Sequence, residues 1–326
     1  AGLPTQLGHV MHDADVIIVG AGPAGSACAW KLKQYGMRVL LLDKEPFPRL
    51  KSCAGWVTPG VLRDLLIAPG DYPLGLTHFS RFLITIKNMR FSLKTHQYAI
   101  RRIEFDNWLL KRSGADFEVH QVKQIEKIDD GFVIDGRFSA RYLVGAGGTN
   151  CPVYRTFFQN FLPRDHKRLI LAMEEEFAYP VADRTCRLWF FQNGLRGYAW
   201  YVPKADGYVN VGVGGTADGL RNSGQNLKHH WELLTWKLEA EGLVAGHQYH
   251  PIGHSYYVRG EESLPRIGNA FLVGDALGLA TRDMGEGIGA AIQSGLRAAD
   301  AIVKGCDYSI DSIPRYSFPS LLGWRG

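Results

Sequence analysis

The sequence predicts an α/β fold in which a Rossmann-like nucleotide-binding domain carries an inserted antiparallel β-sheet domain. Three observations lead there. Apolar runs end in Gly20-Ala-Gly22-Pro-Ala-Gly25 near the start of the chain and in Gly145-Ala-Gly147-Gly148 in the middle. A third ends in Gly274-Asp275 near the end, with Met284-Gly285-Glu286-Gly287 soon after. Between these motifs, segments 61–96 and 151–264 alternate aromatic and β-branched residues, as in Arg81-Phe-Leu-Ile-Thr-Ile-Lys and Tyr208-Val-Asn-Val-Gly-Val. Alternation with period two marks strands that bury one face.

The run 15–19, Asp-Val-Ile-Ile-Val, reads as a buried parallel strand. It passes directly into Gly20-x-Gly22-x-x-Gly25 and a helix-forming stretch from Ser26. Glycines at this spacing permit a tight turn, close approach of backbone to a pyrophosphate and close helix–strand contact. The helix N-terminus adds free N–H groups and a partial positive charge. A second apolar strand, 38–42, ends in Asp43, roughly 20 residues past the motif, the spacing at which an acid binds a ribose hydroxyl. Gly20, Gly22, Ala24, Gly25, Asp43 and Lys44 are therefore candidate cofactor-binding residues.

The middle strand, 141–145, ends in glycines, with Gly147 the candidate contact and Asn150 and Arg155 following. The third strand, 270–274, places Asp275 where a carboxylate can hold a ribityl chain. Gly285, Gly287 and Ile288 then open the helix-forming stretch 290–303. Its positive end would favour the anion that develops on a reduced flavin ring, and the glycines let backbone lie against a flat ring. One dinucleotide motif does not separate NAD from FAD. Three motifs in this order mark a chain wrapped around FAD, and hence a redox enzyme.

Composition narrows the setting. With 326 residues the chain can bury a large core and divide in two. The net charge is +5, but Lys and Arg are scattered, so nucleic-acid binding is unsupported, while a mild attraction to anionic membrane surfaces stays open. The five cysteines are dispersed and lack metal-site spacing, which suits a reducing cytoplasm. His247, His250 and His254 have no cysteine or acidic partner at ligand spacing; they read as ordinary loop histidines, and no metal is expected. No apolar run approaches the length of a membrane span. The stretch 222–240 reads as a helix leading back towards the nucleotide-binding domain.

Two further stretches are more selective. Lys51-Ser-Cys53-Ala-Gly55 follows the second strand, and Tyr198-Ala-Trp200-Tyr-Val-Pro203-Lys204 precedes Val211-Gly212-Val-Gly214. Together with Arg102-x-x-Phe105-Asp106-x-Trp-Leu and the flavin motifs, they resemble the geranylgeranyl reductase family of FAD-dependent oxidoreductases, from residue 13 to residue 304. The chain departs from the family at Ala54, where a second glycine is common, and at Asp43, where the usual acid is Glu.

The resemblance implies a FAD-binding domain over 13–60, 97–150 and 265–305, a substrate-binding sheet over 61–96 and 151–264, and a C-terminal extension, 306–326, shorter than the region with which family members commonly continue. It implies that Arg102 lies near the flavin and that Cys53 is the catalytic candidate where cofactor meets substrate. Tyr198 and Trp200 would line the substrate face, with their polar tips free to anchor a headgroup.

The reaction so implied is hydride transfer from reduced flavin to a C=C bond of an isoprenoid or other apolar substrate. NAD(P)H or a ferredoxin would serve as electron donor, docking without a dinucleotide domain of its own. On the same scaffold an oxygen-using hydroxylase is an alternative. So is a halogenase, since Tyr198-x-Trp200-x-Val-Pro203 resembles the Trp-x-Trp-x-Ile-Pro stretch of flavin halogenases. A flavin-bearing maturation or accessory protein is a third, which exposed apolar surface around Leu321 and Trp324 would favour.

Overall fold

A computed structural model describes residues 12–322. Two eight-stranded sheets face one another. The first has the spatial order Arg266–Ile267, Ala270–Leu272, Phe138–Gly145, His12–Val19, Val39–Asp43 and Asp116–Val119. From Ala270–Leu272 to Asp116–Val119 its strands run parallel. The strands Ile125–Ile128 and Gly131–Ile134 add an antiparallel flap beside Phe138–Gly145. The β-branched centre of His12–Val19 is fully enclosed, with Val16, Ile17 and Ile18 at 0% exposure, as a central parallel strand requires.

Strand register brings the three glycine motifs to one edge. Val19 lies opposite both Leu42 and Gly145, so the strands end level. Backbone bonds then lock the turns: Gly20 N donates to Leu42 O at 2.7 Å, Ala146 N to Val19 O at 2.8 Å and Val273 N to Gly145 O at 3.0 Å. In an open parallel sheet, the carboxyl ends of the strands are where a ligand binds.

Two helices start at this edge, Pro23–Gln34 and Ile288–Lys304. Their contact is made of small residues. A Cβ at Gly295 would sit 2.3 Å from the Ala24 carbonyl oxygen and 3.2 Å from Cys28 N. Ala24, Cys28, Ala291, Ala298 and Ala299 fill the surrounding core. The helices thus approach backbone to backbone, which fixes where their N-termini lie.

The second sheet has the order Ile252–Tyr257, Leu169–Ala178, Tyr208–Thr216, Gly197–Pro203, Cys186–Phe190, Thr77–Ile86, Met89–Ala99 and Trp56–Val57. Its pairs are antiparallel except Cys186–Phe190 with Thr77–Ile86, which run parallel. That pair is joined through much of the first sheet, a crossover that leaves strand direction unconstrained by a hairpin. The strand Met89–Ala99 and the edge strand Trp56–Val57 take the sheet beyond segment 61–96 into the flanking sequence.

Alternation along Tyr208–Thr216 sorts its two faces. Val209, Val211 and Val213 pack on Trp231, Leu234 and Leu238 of the helix Leu227–Ala240. Gly212 and Gly214 face the other way, opposite Trp200 and Tyr198. A Cβ at Gly212 would sit 2.2 Å from the Trp200 ring, so this glycine makes room for the indole to lie on the sheet.

The expected helix over 222–240 is corrected in two respects. It is two helices, Ala217–Ser223 and Leu227–Ala240, because Gly224 at φ +66 ends the first and the Asn226 side chain caps the second by accepting from His229 N at 2.8 Å. The second helix covers the outer face of the second sheet instead of leading back to the first.

Around Leu321, Tyr316, Phe318 and Leu322 are exposed, while Leu321 itself packs inward. Leu321 is 1% exposed, and its short helix Phe318–Leu321 is pinned by Thr95 Oγ1 donating to Leu321 O (2.8 Å) and Gln97 Nε2 donating to Ser320 O (3.0 Å). Trp324 lies outside the described residues. No helix among the described residues is long and apolar enough to cross a membrane.

Gly295→Ala tests the helix contact. The substitution gains up to about 1 kcal/mol of helix propensity but forces the two helices apart, and overpacking costs roughly 1–3 kcal/mol. A lower denaturant midpoint than wild type is expected. A midpoint at or above wild type would show that the helices are free to separate.

Candidate active site

A cavity of about 900 Å³ lies between the carboxyl edge of the first sheet and the inner face of the second. Cofactor-sized pockets run to roughly 1,000 Å³. Of the residues singled out from the sequence, all but Gly25 and Gly274 line it. Those two shape the frame instead. A Cβ at Gly25 would sit 1.9 Å from the Gly20 carbonyl oxygen, and Gly274, at φ +59, has Ala24 Cβ at 3.0 Å.

Gly20 and Gly22 differ in an informative way. Gly20 has φ +111, and a Cβ there would strike the Ala146 backbone at 2.4 Å, so the fold itself demands glycine. Gly22 has φ −69, which any residue adopts, and the nearest atom to its Cβ position is Arg49 Nη2 at 3.7 Å. Protein packing does not require glycine at Gly22; a ligand lying against the backbone does.

Asp43 is fixed in place by its neighbours. Its Oδ2 accepts from Ala21 N at 2.9 Å and its Oδ1 from Glu45 N at 3.2 Å, so the carboxylate holds the glycine turn as well as facing the cavity. Lys44 lines the mouth and pairs with Glu45 at 3.5 Å on the surface. The sequence reading missed Arg49. It pairs with Asp43 at 3.7 Å, lines the cavity beside Gly22, and its buried Nε has no partner among the described residues. Such an unfilled cationic donor suits a pyrophosphate.

At the other end, Gly287 caps the helix Ile288–Lys304 without any side-chain hydrogen bond, as Gly22 caps Pro23–Gln34. Both helices therefore offer unsatisfied N–H groups to the cavity. Gly285, at φ +65, sits under the Tyr256 ring, where a Cβ would be 2.2 Å from the hydroxyl. Gly147, Asp275 and Ile288 complete this wall. Glycines without Cβ room, two uncapped helix starts, an acid near the first turn and an orphan arginine nitrogen together fit a flavin dinucleotide.

The opposite wall comes from the second sheet. Arg102 is buried at the start of its helix and held by Asp106 through a fork, Nε to Oδ1 and Nη2 to Oδ2, both 2.7 Å. Cys53 lies beside it, its Sγ accepting from Gly55 N at 3.3 Å. The Cys53 loop is tied from below: Lys204 Nζ donates to the carbonyls of Ala54 and Ile100, and Asn210 Nδ2 donates to Cys53 O at 3.5 Å.

The aromatic pair lines the cavity, but the expectation of free polar tips is corrected. Tyr198 Oη donates to Met284 O at 2.6 Å, and Trp200 Nε1 donates to Asn210 Oδ1 at 2.7 Å. Buried donors take the nearest acceptor. The rings present apolar surface and no free anchor.

The histidines lie apart, and the reading of all three as loop residues is corrected at one position. His247 stacks on Phe177 at 3.6 Å and bonds Glu175 at 2.9 Å. His254 belongs to the strand Ile252–Tyr257, lines the cavity, and has no partner for Nδ1 among the described residues. Burial, with Lys51 and Arg102 nearby, pulls its imidazole down to about 4.

Glu174, also unforeseen, lies on the strand Leu169–Ala178 facing the cavity; burial pushes its carboxyl up to about 7. Neither residue sits in a motif, so only strand alternation pointed to an inward face.

Residues 15–108 match the FAD dependent oxidoreductase family. An uncharacterized protein of Methanosarcina barkeri is 34% identical over 310 residues, covering 90% of this chain and 75% of that one. Digeranylgeranylglycerophospholipid reductase 1 of Methanopyrus kandleri is 28% identical, covering 93% and 84%. The crystal structure of a geranylgeranyl bacteriochlorophyll reductase-like protein from Thermoplasma acidophilum shares the fold, with a TM-score of 0.78 at 22% identity over 92% of this chain and 81% of that one.

Two outcomes follow from the geometry. Gly22→Val should fold with wild-type stability yet purify with little or no bound FAD, measured by flavin absorbance per protein. Full flavin content would remove the backbone approach at this turn.

Because His254 is depressed from 6.5 to about 4, the folded state resists a proton that the unfolded chain accepts. Stability is lost as pH falls through that window. Relative to wild type, His254→Gln should hold a constant offset in unfolding free energy above pH 6.5 and gain roughly 1–3 kcal/mol on wild type by pH 4. An offset that stays constant down to pH 4 would place a solvated imidazole there.

Proposed function

Because the chain belongs to the geranylgeranyl reductase family of FAD-dependent oxidoreductases, we propose that it reduces a C=C bond of an isoprenoid chain or a similarly apolar substrate. The observation that carries this reading is one continuous cavity, running from the dinucleotide turn to an aromatic sheet face, with Cys53 where the two meet. The name of the Methanopyrus relative, a reductase of a geranylgeranyl lipid, supports the substrate class. When bound, FAD supplies the hydride, delivered from its reduced ring to one alkene carbon.

The protein's share is binding, orientation and proton supply. Gly22, Asp43 and Arg49 hold the adenosine and pyrophosphate half, while Asp275, Gly285 and Gly287 hold the ribityl and ring end. The Trp200 ring lies over Gly212 and reaches Gly214, with the Tyr198 ring 5.6 Å away, so the chain-binding wall is both apolar and closely packed. Their engaged tips leave these two rings without a free donor that would favour a headgroup over a hydrocarbon. Cys53, beside Arg102 and tied down by Asn210, sets the gap between the two walls. The electron donor is NAD(P)H or a ferredoxin-type protein approaching from the open side of the cavity.

Single-turnover reoxidation of the anaerobically reduced protein by a polyprenyl substrate tests this directly. Wild type should yield a saturated product. Cys53→Ala should keep its FAD but slow alkene-dependent reoxidation about 10- to 100-fold, as expected when a reacting centre is misplaced. Trp200→Ala should chiefly raise the substrate concentration needed for half-maximal rate. If oxygen reoxidises the wild-type protein and no alkene does, the hydroxylase or halogenase reading takes its place.

A further inference from the structure

We infer that Glu174 is the catalytic acid of this cavity, giving a proton to the carbon that does not receive hydride. The inference rests on the reductase reading above. Glu174 is 3% exposed, lines the cavity, and its Oε2 has no hydrogen-bond partner among the described residues. A buried carboxyl oxygen without a partner costs free energy unless it is protonated or meets a ligand. It sits on a strand paired on both sides, with Ile252 opposite on one side and Gly212 on the other. Gly212 has the Glu174 Cβ within 2.8 Å of its own Cβ position, so a side chain there would displace the carboxyl.

The groups facing it set its charge. Lys204, Glu176, Asn210 and Lys51 surround the carboxyl, and Tyr256 and Cys53 lie on the same side of the cavity. Burial outweighs the pull of Lys204, and the acid titrates near neutrality, where a proton donor works best.

Other cavity acids are less suited. Tyr198 has its hydroxyl committed to Met284 O, and burial pushes its pKa well above the ordinary phenol range, making it a weaker acid. His254 is neutral at pH 7, and Lys204 is held by two carbonyls and Glu176. Glu286, although burial pushes it up to about 7 as well, lies between Gly285 and Gly287 on the flavin wall and not on the sheet that carries Trp200.

The step balances. One alkene carbon gains hydride and the other gains the Glu174 proton: two C–H bonds form as the C=C π bond, the N–H bond of the reduced flavin and the Glu174 O–H bond break. The flavin is left oxidised and Glu174 anionic beside Lys204. The carboxylate then regains its proton from solvent, and the nicotinamide or iron–sulfur donor restores the flavin.

Infrared titration of the purified flavoprotein and single-turnover kinetics test the assignment together. Wild type should show the carbonyl stretch of protonated carboxylic acid at pH 6, lost with a midpoint near 7; Glu174→Gln should remove part of that intensity and Glu286→Gln the rest. Glu174→Gln should retain FAD and slow alkene-dependent reoxidation at least about 100-fold. Glu174→Asp should recover part of that rate, and the wild-type rate should fall as pH rises through 7.

A band of undiminished intensity in Glu174→Gln, or equal alkene rates in wild type and Glu174→Gln, overturns the role of Glu174 while leaving the reductase reading intact. Absence of alkene reduction by wild type overturns the reading and this role with it.

Discussion

Backbone-to-backbone contact at the carboxyl edge of the first sheet is the constraint on which the rest of the molecule depends. At Gly20, Gly25 and Gly295 the neighbouring carbonyl atoms stand within 1.9–2.4 Å of where a Cβ would be. Only glycine lets the first turn close over Ala146 and lets the two helices meet at Ala24. That approach puts both uncapped helix starts, at Gly22 and Gly287, on one cavity. Unsatisfied N–H groups at a helix start are an invitation to an anion or an electron-rich ring. The same contact thus creates the frame and leaves it incomplete without a ligand.

The second sheet solves a different problem, which is to offer an apolar wall while keeping charge close by. Alternation in Tyr208–Thr216 sends valines outward to a covering helix and glycines inward beneath Trp200 and Tyr198. Beside this smooth surface lies a buried group of Glu174, Glu176 and Lys204, with the Lys204 side chain fully enclosed and 3.6 Å from Glu176. Burying such charges is costly, and a buried ion pair is weak evidence for stability. Its position argues for use: Lys204 ties down the Cys53 loop through two carbonyls, and Glu174 is left with an oxygen free. A site that tolerates this cost beside an apolar wall is suited to moving a proton near a hydrocarbon.

Some assignments made from motifs alone shift in meaning once contacts are known. Asp43 faces the cavity but also holds the turn through Ala21 N. Gly274 and Gly25, which belong to the motifs, shape packing and do not reach the cavity, whereas Gly22 meets no protein atom that requires it to be glycine.

The sequence by itself determined the sheet-and-turn skeleton: the three strands that end in glycine, the helices after the first and third, the alternating segments, and the set of motif residues that converge on one cavity. These were legible because they rest on local rules, a fixed side-chain period and a steric requirement for glycine. Tertiary structure alone decided the remainder. Gly224 split the expected helix, and Trp231, Leu234 and Leu238 sent its second half to the outer face of the second sheet. Leu321 became buried through strand Met89–Ala99, more than 200 residues away. Glu174, His254 and Arg49 carry no motif, and their environment comes from strands and loops distant in sequence. Whether a carboxyl lies paired in water or alone beneath a cavity depends on which neighbours the fold brings to it, and no local pattern records that.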